Sequence, residues 1–147
     1  MKTTTIRQSV KLPASPHEVY LTLTDSKRHS AFTGAKARMP KKLGGSMSAY
    51  QGYISGKVLG FFPARGLLQT WRTTEWPKDY PDSRLEIELA AEGNGTRLTM
   101  IHSLIPAAQA KNYRRGWPEY YWKPLREYLR ANATKPKTRA QLCRRCA

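Results

Sequence analysis

From residue 3 the chain alternates between apolar and polar positions. In T-T-T-I-R-Q-S-V-K-L, Ile6, Val10 and Leu12 fall on one side and Arg7, Ser9 and Lys11 on the other, the two-residue period of a half-buried strand. The period breaks at Ser15-Pro16-His17-Glu18. A serine cap, a proline at the first helical position and a glutamate three residues after the cap together satisfy or avoid the free amides of a first helical turn. Val19, Tyr20 and Leu23 then predict a short amphipathic helix ending near Asp25. Asp25 or Ser26 can cap a second one, running to about Phe32 and stopped by Gly34. Residues 35–45 are basic and turn-rich. Strands are predicted at 46–51, 53–59, 67–74, 85–89 and 96–104, with a turn at 60–66, a loop at 76–83 and a hairpin turn at Glu92-Gly93-Asn94-Gly95. In the last strand Leu98, Met100, His102 and Leu104 share one face, while Arg97, Thr99, Ile101 and Ser103 share the other.

The closing stretch has a different period. A helix is expected from about Ala107–Ala108, and within Gly116–Leu129 the residues Trp117, Tyr121, Leu125, Tyr128 and Leu129 recur at steps of three and four on one helical face. Pro118 and Pro124 each remove an amide donor, so a bend or fresh start is expected near 116–118 and a kink near 124. One-sided strands need a cover, and the only long helix is the last. The expected fold is α+β: a curved antiparallel β-sheet wrapped around a long C-terminal α-helix, with two short helices between strands 1 and 2. It fills one domain over 1–133, followed by a basic tail at 134–147 expected to be disordered. A space between sheet and helix, towards the short helices, is the candidate pocket.

Composition narrows the class. With 147 residues, 39% hydrophobic and 24% charged, the chain fits one soluble globular domain. No apolar run approaches the ~18 residues of a spanning helix, and residues 1–12 lack a signal-peptide core, so a cytoplasmic protein is expected. The net charge is +16, from 26 Lys and Arg against 10 acids. Such a surface draws acidic partners, but here the charge is spread, with one run at Lys27–Lys42 and another at Lys135–Arg145. Trp117 and Tyr121 are needed for the core face, so aromatic residues among the basic ones around 113–122 do not make nucleic acid the expected partner.

Little of the sequence suggests catalysis. The histidines are His17 in the cap motif, His29 beside Lys27 and Arg28, and His102, which alternation turns inward. No nucleophile, zinc-protease or phosphate-loop motif occurs, and no acid alternates inward. Cys143-Arg144-Arg145-Cys146 is a single pair, short of the four ligands of a zinc site. No catalytic residue, metal or cofactor is expected. The pocket candidates are Tyr50, Trp71, Trp76, His102, Trp117 and Tyr121, with Trp76 by the mouth. They form an apolar wall with a few single hydrogen-bonding groups.

Six segments in order carry a resemblance: S-P-H-E-V-Y at 15–20, A-F-T-G at 31–34, G-G-S-M-S-A-Y-Q-G-Y-I-S-G at 44–56, Q-T-W-R at 69–72, G-T-R-L-T at 95–99 and G-W-P-E-Y-Y-W-K-P-L at 116–125. Together they resemble the family of activator of heat-shock protein 90 ATPase homologues, within the START-like, birch-pollen-allergen-like superfamily. Phe32-Thr33 stands where such proteins usually carry a tryptophan before the glycine. The resemblance implies the helix-grip fold. For function it implies three readings: a binder of a small apolar molecule, a co-chaperone-like partner of a chaperone or other acidic protein, or an enzyme of polyketide cyclase type with His102 as its acid or base. The first is the leading expectation.

Overall fold

The computed structural model describes residues 1–133. The tail at 134–147, with its Cys143–Cys146 pair, lies outside the described residues.

Strand β1 (Thr3–Leu12) leads into α1 (Pro16–Thr24) and α2 (Ser26–Thr33). The caps are the ones the sequence suggests. Ser15 accepts the Glu18 amide, Asp25 accepts the Arg28 amide, and Gly34 closes α2 with a left-handed φ of 74°. Strands β2 (Ser46–Ala49), β3 (Ile54–Phe62), β4 (Gly66–Thr73), β5 (Ser83–Glu92) and β6 (Gly95–Pro106) follow. The chain ends in a helical segment made of a 3₁₀ turn (Ala107–Gln109), α3 (Ala110–Trp117), a π-helical turn (Pro118–Trp122) and α4 (Lys123–Ala133). The six strands form one antiparallel sheet in the order β1-β6-β5-β4-β3-β2, whose inner face packs on the closing helix.

The pairing register shifts at two bulges, and at one of them, in β6, the alternation of burial also fails. Between Val58 and Gly60 of β3 the register shifts by one, and the extra residue, Leu59, faces solvent. In β6 the register against β1 shifts near Leu104, which takes a left-handed φ of 61°. Leu104, expected inward, is therefore 49% exposed, and Ile105 takes its place in the core. The strand also runs on through Ile105–Pro106, which the sequence reading placed at its end. Between β3 and β4 the backbones approach closely at Gly56, where a Cβ would lie 1.9 Å from the Thr70 carbonyl oxygen.

The helix carries Trp117, Tyr121, Leu125 and Leu129 into the core as their spacing predicts, with Tyr128 half-buried. It also buries Trp122, which the regular period leaves off that face. The π turn explains this. Its Lys123 amide reaches back five residues to the Pro118 carbonyl, so the wider turn brings adjacent Tyr121 and Trp122 both inward. Each helix proline frees one carbonyl, and each freed carbonyl finds a side chain. The amide of residue 118 would have bonded the Arg114 carbonyl, which instead accepts Gln8 Nε2–H of β1 at 2.8 Å. The amide of residue 124 would have bonded the Tyr120 carbonyl, which instead accepts the Tyr50 hydroxyl.

Candidate functional site

His29 and Phe32 of α2 fill the end of the sheet–helix space where the pocket was expected. Phe32 packs on Tyr121 and Tyr128, and His29 on Tyr121. The void left there is about 20 Å³, room for one water at most. The open space lies instead beside the β2–β3 turn, between the ends of β3 and β4 and the α3–π segment. It is a cleft of about 470 Å³.

Three elements build its wall. The β2–β3 turn runs through three consecutive left-handed residues, Tyr50, Gln51 and Gly52, at φ 50°, 58° and 92°. That turn aims Tyr50 across to the helix, where its hydroxyl holds the Tyr120 carbonyl. Tyr53 follows at the end of that turn; from the sheet come Ile54 and Trp71, with Glu75 just past β4. From the helix come Asn112, Tyr113 and Gly116, then Trp117, Tyr120 and Tyr121. Apart from Glu75 and Asn112, the wall is aromatic or aliphatic.

Hydrogen bonds fix these rings. Tyr113 donates to Gln109 Oε1 at 2.9 Å and accepts from Thr73 Oγ1 at 2.7 Å. Gln109 Nε2–H then donates to the Glu75 carbonyl, tying the start of the helix to the end of β4. The Tyr53 hydroxyl donates to Glu75 Oε1; burial, then that bond, push it up to about 12. Burial also raises Tyr50, Tyr113 and Tyr121, so these phenols stay protonated and act as donors at neutral pH. The indole N–H of Trp71 makes no hydrogen bond among the described residues. No buried side-chain polar atom there lacks a partner, so this donor meets open space.

Of the six residues singled out from sequence, Tyr50, Trp71, Trp117 and Tyr121 meet in this wall. His102 and Trp76 lie one layer back. Trp76, expected at the mouth, is 8% exposed, packs on Trp71 and Tyr113, and donates its N–H to the Pro81 carbonyl. His102 is fully buried between Trp71 and Trp117. Trp117 Nε1–H donates to its Nδ1 at 3.1 Å, so the ring's proton sits on Nε2 and points at Ser83 Oγ, 2.8 Å away. Ser83 in turn donates to the Trp71 carbonyl. Burial pushes His102 down to about 3, and a proton on Nδ1 would also face the Trp117 donor. His102 is a neutral core residue with both nitrogens engaged.

His29 was missed. It is 4% exposed, donates Nδ1–H to the Leu23 carbonyl and accepts the Tyr121 hydroxyl on Nε2. Burial lowers its pKa, against a smaller opposing effect of the Leu23 bond. Among the described residues no group of three or more His, Cys, Asp or Glu converges as a metal would require, and no helix is long and apolar enough to cross a membrane.

A curved antiparallel sheet closed over one long helix, with two short helices after the first strand, defines the helix-grip class. Within it, residues 13–130 match the family model described as Activator of Hsp90 ATPase homolog 1-like protein, and the chain belongs to that family. An activator of 90 kDa heat shock protein ATPase homolog from Dictyostelium discoideum is 26% identical over 116 residues, 78% of this chain and 30% of the relative. Among solved structures, an HSP90 activator from Plasmodium falciparum superposes with a TM-score of 0.75 at 19% identity, covering 82% of this chain and 91% of its own. CalU16 from Micromonospora echinospora gives 0.68 at 28% identity, covering 86% and 75%. The chain spans only 30–37% of the length of the curated relatives it matches.

Proposed function

We propose that this chain is a non-catalytic module that binds a small, mostly apolar molecule in the cleft between the β2–β3 turn, β4 and the helix. The observation that carries the reading is a preformed space of about 470 Å³ whose wall is mostly aromatic and several of whose rings are already held by hydrogen bonds. A pocket of that size suits a small organic ligand. Fixed rings also lower the ordering cost of binding. The enzymatic alternative gains nothing from the geometry, because His102 has no free nitrogen and lies behind Trp117. Cytoplasmic residence is part of the reading and rests on a sequence with only two cysteines and no disulfide framework. In native mass spectrometry the freshly purified protein is expected to carry an added small-molecule mass that is lost on denaturation. A bare chain mass that no added apolar probe shifts would count against it.

Family membership and the net charge of +16 favour a second reading, a co-chaperone-like module that meets an acidic face of heat-shock protein 90. It expects the chain to change the chaperone's ATPase rate at low salt, with the effect fading as salt is raised. An unchanged rate at low salt would remove it.

A further inference from the structure

One charged side chain lines the cleft, and on a protein of net charge +16 it is an acid. Glu75 belongs to none of the ion pairs among the described residues, and its Oε1 accepts the Tyr53 hydroxyl, so Oε2 is not tied to a cation. No Lys or Arg lines the wall. Tyr53 donates its hydroxyl to the carboxylate, and Tyr113, the exposed Tyr120 and the buried Trp71 and Trp117 line the same cleft. Aromatic faces present negative potential, and several of them beside one carboxylate form the chemistry that holds an alkylated ammonium. Its methyl groups fill apolar space while its charge meets rings and carboxylate together. The overall positive charge opposes a cation only at long range. At physiological salt it is screened within about 8 Å, so the groups in the wall decide.

We propose that the ligand of this cleft carries an alkylated ammonium group seated against the aromatic wall beside Glu75, with its apolar remainder towards Trp71 and Trp117. The proposal rests on the cleft-binding reading and narrows it.

Two probes of the same shape separate the two claims: phenyltrimethylammonium and its uncharged isostere tert-butylbenzene, titrated into the wild type and Glu75→Gln and followed by tryptophan fluorescence. Glu75 is exposed, so the substitution leaves the fold intact, as a thermal melt will show. The ammonium probe is expected to bind the wild type about tenfold more tightly than the isostere, the scale of a partly desolvated cation–π and carboxylate site. Glu75→Gln should erase most of that preference and leave the isostere's affinity unchanged. Equal or weaker binding of the ammonium probe, or a preference that survives in Glu75→Gln, overturns the ammonium proposal while cleft binding stands. No binding of either probe overturns both.

Discussion

His102 shows how one residue couples stability to pH. In the fold it is neutral, donating to Ser83 and accepting from Trp117, and burial holds its pKa near 3 against an ordinary 6.5. Above pH 6.5 both folded and unfolded chains carry it neutral, and it gives no pH dependence. As pH falls below 6.5 the unfolded chain takes up a proton that the folded chain refuses. Stability therefore falls by about 1.4 kcal/mol per pH unit from this group, until the pH nears 3. His29, lowered by burial, adds in the same direction. Urea melts should be flat above neutrality and decline between pH 6.5 and 5, with an imidazole ¹⁵N spectrum showing His102 still neutral at the lower pH. Trp117 completes this network. Trp117→Phe leaves His102 Nδ1 buried without a donor and should cost about 1–3 kcal/mol. Trp117→Ala also opens a cavity and should cost about 3–5 kcal/mol. A loss under about 1 kcal/mol for both in denaturant melts would contradict the packing described here.

At the scale of elements, the helix is held to the sheet where its prolines interrupt it. Gln8 both donates to the Arg114 carbonyl and accepts Trp122 Nε1–H at 2.7 Å. Gln8→Leu removes the partner of an exposed carbonyl and a part-buried indole N–H and should destabilise by about 1 kcal/mol, whereas an outward β1 position such as Arg7→Leu should stay within about 0.5 kcal/mol. Two-residue alternation revealed the strands, and Ser15, Asp25 and Gly34 bounded the short helices. The same rule failed where the backbone leaves the ideal strand, at Leu104, because a bulge leaves no mark on the apolar–polar pattern. His29 was hidden for another reason: its helix, S-K-R-H-S-A-F-T, is too polar to advertise a buried face. Trp122 needed a π turn to come inside. The six-residue spacing of Pro118 and Pro124 is the available signal: where a bend or fresh start and a kink are expected, a π turn lies between the two prolines.

For the whole molecule, sheet and helix meet with their central space nearly filled, and the open cleft lies at one side. Four of the candidate wall residues, Tyr50, Trp71, Trp117 and Tyr121, were legible as aromatic positions in the strand and helix patterns. Tyr53, Glu75, Tyr113 and Tyr120 were not, since they sit on turns or on the helix flank, where periodicity carries no information. We propose a domain boundary near Ala133; the family match ends at residue 130, and among the described residues the last core residue is Leu129. Deleting 134–147 should lower the net charge from +16 to +11 and leave the melting temperature unchanged, while a drop of many degrees would move the boundary.

Cleft binding is the central claim, and the four tryptophans test it directly. Trp71 and Trp117 line the cleft, Trp76 lies behind it, and Trp122 stacks on Trp117 outside the cleft lining, with its N–H on Gln8. Four indole N–H signals should appear in a ¹H–¹⁵N correlation spectrum, assigned by single Trp→Phe changes. On titration with phenyltrimethylammonium, or with tert-butylbenzene as the neutral check, the Trp71 and Trp117 signals should move in a saturable way, while Trp122, which senses the cleft only through its stack on Trp117, moves less. Signals of Trp71 and Trp117 that do not move with either probe, or a shift of Trp122 as large as theirs, would contradict binding in this cleft.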